Sequence, residues 1–261
     1  MKKILLPLLL LISVAAIAQR RDFSAYQRYQ FIQNGDTLPY RLLLPENYDP
    51  KRVYPLVLFL HGRGESGKDN EKQLVHGASL FLRDSIRKRY PAIVVFPQCA
   101  ETSYWSNVQT VADSTGQRKF YFVPDGPPSQ AMQLLVSLTG HLLKQYKVKS
   151  DQVYVMGLSM GGMGTFELVR RLPKTFAAAA PICGGADPST APLLKSVNWW
   201  VFHGAKDDVV LPEYSEKMVT ALKKTGAKVR FTLYPDANHN SWDPAFAEPG
   251  LLAWLFSVRK K

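Results

Sequence analysis

A chain of 261 residues is long enough to bury one sizeable core, and its apolar share of 46% with a charged share of 21% excludes a disordered or fibrous protein. A formal charge of +12 raises the question of an anionic partner. Lys and Arg are scattered, however, without a stripe or a nucleic-acid motif, so the basic balance reads as a solvated surface and not as a nucleic-acid interface.

At the N-terminus Lys2 and Lys3 precede an apolar run over residues 4–17 that closes on Ala16-Ile17-Ala18, a small-x-small cleavage pattern. This is the layout of a secretory signal peptide, and it predicts cleavage after Ala18, a mature domain over 19–261 and an exported protein, periplasmic or secreted. The run is short of the roughly 20 residues of a spanning helix and is interrupted by Pro7, so no stable membrane insertion is expected after cleavage. Removing Lys2 and Lys3 lowers the formal charge by two, and the mature chain stays basic.

Residues 26–32 and 38–44 alternate in strand fashion around Asn34-Gly35-Asp36, predicting an antiparallel hairpin. A continuous apolar run over 54–60, stopping at His61-Gly62-Arg63-Gly64, suits a strand covered on both faces. A helical pattern follows over 74–89, then a strand over 92–96, a long loop from 97 to about 129, a helix over 130–146 and a strand over 152–157. Beyond it the pattern predicts a helix over 160–172, strands over 177–181 and 199–203, a helix over 212–225, a strand over 228–234 and a closing helix over 249–259. Strands alternating with helices imply right-handed crossovers, and hence an α/β fold: one domain with a mostly parallel central sheet and helices on both faces. The 97–129 connection is too long to serve only as a connector.

Gly157-Leu158-Ser159-Met160-Gly161 is a GxSxG pattern between a predicted strand and a predicted helix, the context of a nucleophile elbow. So tight a turn requires residues without bulk on either side of Ser159, and Gly157 and Gly161 meet that need. Gly162 and Gly164 are expected to let the helix lie close to the sheet. A serine hydroxyl needs a base, and the base needs an orienting carboxylate, in chain order Ser, acid, His. His203-Gly204-Ala205-Lys206-Asp207-Asp208 follows a strand, and the HGxxD spacing favours Asp207 as the acid, with Asp208 read as a loop residue. After the last strand only His239 is placed to act as base. His61 and His203 end strands before glycine and read as structural, whereas His76 and His141 fall in helical patterns and precede the acid. The oxyanion hole should combine the backbone amides of Met160 and Arg63, with the Arg63 side chain directed to substrate or solvent.

These segments, with Leu38-Pro39-Tyr40-Arg41-Leu42, Pro97-Gln98-Cys99 and Pro181-Ile182-Cys183-Gly184-Gly185, make the chain resemble secreted bacterial α/β hydrolases of the esterase or predicted-peptidase group, near polyhydroxybutyrate depolymerases and feruloyl esterases. The resemblance covers residue 26 to the C-terminus. It implies two-step acyl transfer on a small-molecule or glycan-linked ester, with no metal or organic cofactor. Tyr104, Trp105, Tyr121 and Trp242 stand on segments expected near the site, as a wall for an aromatic or sugar-linked ester or as packing residues. The rival readings are a serine peptidase acting on short peptides and a non-catalytic glycan-binding module. In this fold two strands separate those preceding Cys99 and Cys183. Three strand spacings of about 4.8 Å give roughly 14 Å, beyond the ~7 Å reach of a disulfide, so two free thiols are expected.

Overall fold

The computed structural model describes residues 22–260; the segment expected to be a signal peptide lies outside them. The first elements are the strands β1 (Gln27–Gln33), β2 (Asp36–Leu43) and β3 (Tyr54–Leu60), followed by the short helices α1 (Ala78–Leu82) and α2 (Asp84–Arg89). After β4 (Ile93–Pro97) come β5 (Val108–Ala112), β6 (Arg118–Phe122), α3 (Gln130–Gln145), β7 (Val148–Leu158) and α4 (Met160–Arg171). The last third holds β8 (Ala178–Ile182), α5 (Ala191–Leu194), β9 (Asn198–Gly204), α6 (Glu213–Lys224), β10 (Val229–Tyr234), α7 (Trp242–Ala247) and α8 (Leu251–Ser257).

Eight strands form one sheet in the order β1-β2-β4-β3-β7-β8-β9-β10. β2 pairs antiparallel with both β1 and β4, and every other pair is parallel. Because both faces are covered, β3, β4, β8 and the 153–158 stretch of β7 are apolar throughout, and the two parities enter different cores. From β3, Leu56, Leu58 and Leu60 join one core, with Val155 of β7 and Trp199 of β9. Val57 and Phe59 join the other, with Tyr154 and Trp200. Residues of α3, α4 and α6 complete the first layer, and residues of α1, α7 and α8 the second. The carboxyl ends of the parallel strands lie side by side, with Leu60 opposite Gly157, Leu158 opposite Ile182 and Ile182 opposite Phe202. The loops that leave this edge therefore meet, as in other open α/β sheets.

Three expectations need correction. The helix over 74–89 is broken into a turn at Lys72–Leu74 and the two short helices α1 and α2. Gly77 has φ +82° and lies where a Cβ would sit 2.4 Å from the Phe59 ring, so the sheet below forces the chain out of helix there. At Arg83 a ψ of 126° interrupts it again. The 97–129 stretch is not structureless: β5 and β6 form a separate two-stranded hairpin. The closing helix spans only Leu251–Ser257, and α7 precedes it. Among the described residues no helix is long and apolar enough to cross a membrane.

Cys99 and Cys183 are unpaired and fully buried, with β3 and β7 lying between the strands that precede them. Burial pushes the Cys99 thiol up to about 12 and also raises that of Cys183. A thiol-specific chromogenic reagent should therefore react with neither cysteine in the folded protein and with both after unfolding without reductant. Finding no thiol in the unfolded sample would establish oxidation and overturn the separation.

Candidate active site

Ser159 joins β7 to α4 with φ 53° and ψ −118°, a backbone region that L residues avoid and that persists only where the surroundings impose it. The surroundings here are backbone. A Cβ at Gly161 would lie 2.0 Å from the Leu60 carbonyl oxygen, and one at Gly157 2.3 Å from that of Gly161. The Leu60 carbonyl ends β3 and the Gly161 carbonyl lies in the first turn of α4, so neither gives way cheaply, and Gly161→Ala is expected to cost about 3 kcal/mol or more. The measurement is the midpoint of chemical denaturation, and an unchanged midpoint would remove the close approach of this turn to β3.

The strained turn raises Ser159 Oγ above the sheet edge, 3.0 Å from His239 Nε2. The other ring nitrogen, Nδ1, lies 2.8 Å from Asp207 Oδ2. These are the three residues that the chain order picked out, brought together from segments 80 and 32 positions apart. Asp207 is buried, and its Oδ1 accepts the Val209 and Val210 amides at 3.0 and 2.9 Å. Burial alone would raise its pKa; hydrogen bonds from His203, His239 and the Val210 amide, with the His239 charge, outweigh burial and hold the carboxyl well below the usual range. Asp208 is exposed.

The loop after β3 lies against this turn: a Cβ on Gly62 would come 2.8 Å from Leu158 Cδ1 and 3.6 Å from Ser159 Cβ. His61 fixes the loop from beneath. Its Nε2 accepts the Cys99 amide at 2.9 Å, so Nδ1 carries the proton and donates to the Gly62 carbonyl at 2.6 Å. Complete burial lowers its pKa to about 4 and keeps the ring neutral. Met160 opens helix α4, where the first amides have no carbonyl of their own helix to bond. The Arg63 side chain is exposed and lines the cleft beside Ser159, and it is tethered there: its guanidinium donates to the carbonyls of Ser103 at 2.7 Å and Glu101 at 2.5 Å and lies 5.7 Å from the Tyr104 ring. It ties the loop after β3 to the loop after β4.

Ser159 and His239 open into a cleft of about 570 Å³ walled by Arg63, Tyr104, Phe120 and Trp242. Burial pushes the Tyr104 phenol up to about 12. Trp242 sets its ring edge-on to His239, with centroids 5.5 Å apart. Trp105 is elsewhere: it is fully buried beneath the loop, 5.4 Å from the His61 ring, and its Cβ fills the space beside Gly164. Gly164 therefore makes room for Trp105, while Gly162 meets the Ile182 carbonyl at the sheet, as expected. Tyr121 is 57% exposed because pleating turns its neighbour Phe120 inward onto Met163 and Val210. Phe120 is thus a wall residue that sequence reading missed. The signal available was the Asp113-Ser114-Thr115-Gly116 turn, where Asp113 Oδ1 accepts the Thr115 amide at 2.9 Å.

Cys183 brings its sulfur within 4.8 Å of donor atoms of Asp207 and His239. The set fits a metal ion poorly, because burial holds the thiol protonated and His239 Nδ1 is already committed to Asp207.

An eight-stranded, mostly parallel sheet with a serine turn, a histidine and an aspartate at its carboxyl edge defines an α/β hydrolase. The chain belongs to the putative esterase family, whose model matches residues 34–240. It is 26% identical over 202 residues to the carboxylesterase SOBER1 of Arabidopsis thaliana, covering 70% of this chain and 82% of that protein. A thermostable esterase superposes with a TM-score of 0.79 at 33% identity, over 91% of this chain; this chain spans 64% of that one. A ferulic acid esterase of Anaeromyces mucronatus, solved with ferulic acid, shares the fold with a TM-score of 0.62 at 15% identity, over 89% of this chain and 90% of its own. The protein is an ester hydrolase.

Proposed function

We propose that the protein is an exported serine esterase that hydrolyses small or glycan-linked carboxylic esters through an acyl-enzyme. The observation that carries the reading is the continuous chain from Ser159 Oγ to His239 Nε2 at 3.0 Å and from His239 Nδ1 to Asp207 Oδ2 at 2.8 Å, on a turn held under strain. Ser159 attacks the ester carbonyl as His239 takes its proton, and Asp207 holds the ring in the required tautomer and stabilises the imidazolium. The charge that develops on the carbonyl oxygen falls between the Arg63 and Met160 amides, each worth roughly 2.7–4 kcal/mol to the transition state. His239 then protonates the departing alcohol, and in the second half it draws a proton from water to release the acid. This reading needs no metal or organic cofactor.

Tyr104, Phe120 and Trp242 give the cleft three aromatic surfaces, which favours esters of small aromatic acids or of acylated sugars. The test is a panel of acetyl, longer-acyl and feruloyl esters beside matching p-nitroanilides, assayed on the purified protein. Ester turnover with anilide turnover at least about a hundredfold lower is expected. Comparable anilide cleavage would make the protein a peptidase, and inertness towards every substrate would leave a binding module. Export rests on the Lys2 to Ala18 pattern, and N-terminal sequencing of the exported protein should begin at Gln19.

A further inference from the structure

The β5–β6 hairpin brings an unpaired cation to the cleft. Residues 118 and 120 of β6 lie two apart and turn the same way, so Arg118 stands beside Phe120 in the wall that Ser159 and His239 open into. Lys119, between them, points to the opposite side and is paired there: its Nζ lies 3.8 Å from Asp113 Oδ2 and 3.4 Å from Gln117 Oε1. Arg118 is exposed, and its guanidinium has neither a hydrogen bond nor an ion pair among the described residues. Asp113, the acid nearest to it in sequence, accepts the Thr115 and Gln117 amides in the hairpin turn. Glu65 is the one carboxylate in the cleft wall, and its Oε1 faces His76 Nε2 at 3.7 Å. Arg63, the second guanidinium of the wall, is bonded to two carbonyls, which hold it in place and cancel none of its charge.

We propose that Arg118 is a specificity-determining residue that receives a carboxylate carried by the substrate away from the ester bond, so that the preferred substrates are anionic esters. The inference rests on the reading of this cleft as the ester-binding site and narrows it to one substrate class. On open surface an arginine is screened by water and salt. Here two of them, against one carboxylate, share a wall with Tyr104, Phe120 and Trp242, and the Tyr104 phenol, which feels both guanidiniums, is kept neutral by burial. A cleft with charge mainly of one sign and aromatic walls concentrates its field on whatever enters. A guanidinium also presents a planar fork of N–H donors that matches a carboxylate two to two, and Arg118 breaks no internal contact to make that pair. The charged group sits either on the acid half of the ester, as in a half-ester of a dicarboxylic acid, or on the alcohol half, as in an acylated uronic acid. The chemistry at Arg118 is the same.

Two substrate pairs separate charge from size. The mono-4-nitrophenyl ester of adipic acid is compared with 4-nitrophenyl hexanoate, and acetylated galacturonate with acetylated galactose. In the wild type, kcat/KM is expected to be at least about tenfold higher for the anionic member of at least one pair, and the pair that responds tells which half carries the charge. Arg118→Gln should abolish that preference by raising KM for the anionic ester, with kcat/KM on the neutral member within about twofold of wild type. Lys119→Gln removes the same charge from the opposite side of the strand and should leave the preference intact. A wild type indifferent to charge in both pairs overturns the proposal, as does a preference that survives Arg118→Gln or disappears equally in Lys119→Gln. Inertness towards every ester would end the esterase reading instead, and calorimetric titration of adipate and hexanoate then decides. Adipate binding that Arg118→Gln weakens by about tenfold keeps the proposal, and adipate binding no tighter than hexanoate ends it.

Discussion

Ser159→Ala should lower kcat on a p-nitrophenyl ester by about 10⁴-fold or more while leaving the fold unchanged. The hydroxyl has a single hydrogen-bond partner, His239, and the side chain is only partly buried, so its removal leaves neither a cavity nor an orphaned donor in either core. The strained φ of the turn is imposed by Gly157, Gly161 and the Leu60 carbonyl, and alanine inherits it at no added cost. What disappears is the covalent route. The oxyanion amides and the cleft remain, so a small residual rate over the uncatalysed reaction should persist, and the circular dichroism and melting midpoint should match the wild type. Activity within tenfold of wild type would take Ser159 out of the mechanism.

Asp207→Asn is expected to cost about 10⁴-fold in kcat, whereas Asp208→Asn should stay within a few-fold of wild type. The two residues are neighbours in sequence and opposites in environment. Asp207 is 3% exposed and is surrounded by four donors; Asp208 faces solvent. An amide at 207 removes the charge that stabilises the imidazolium, and any orientation of its NH2 group points a donor at a donor, either at the Val209 and Val210 amides or at the two imidazoles. His239 is then driven to the tautomer with Nε2–H, which cannot accept the Ser159 proton. Kinetics of both variants on one ester decide the matter, and the reverse ranking would move the acid to Asp208.

How far the sequence could be read followed from where each signal resides. The central strands were legible because burial on both faces leaves unbroken apolar runs, and the elbow was legible because GxSxG fell between a strand and a helix. Asp207 and His239 followed from chain order. The β5–β6 hairpin was missed because four of the five β5 residues are exposed, which leaves no apolar alternation to detect. The parity of Tyr121 and Phe120 then could not be assigned. The break at Gly77 comes from Phe59, a residue of the sheet and not of the helix, so no local pattern announces it. Trp105 was placed near the site by position along the chain, yet it is the loop's foundation and not its lining.

The way the hairpin is seated has a consequence for how this enzyme can change. Residues 108–122 belong to no strand of the main sheet, and their buried attachment is Phe120, which rests on Met163 and Val210, with its amide bonded to the Tyr214 hydroxyl at 3.0 Å. The Ser159 turn, by contrast, is held at the sheet edge by backbone. The hairpin's share of the cleft wall is therefore mechanically separate from the serine turn. A graft of a foreign ribbon that keeps the phenylalanine peg could retune what enters the cleft without disturbing what happens there, and descendants of this chain could diversify along that one flap.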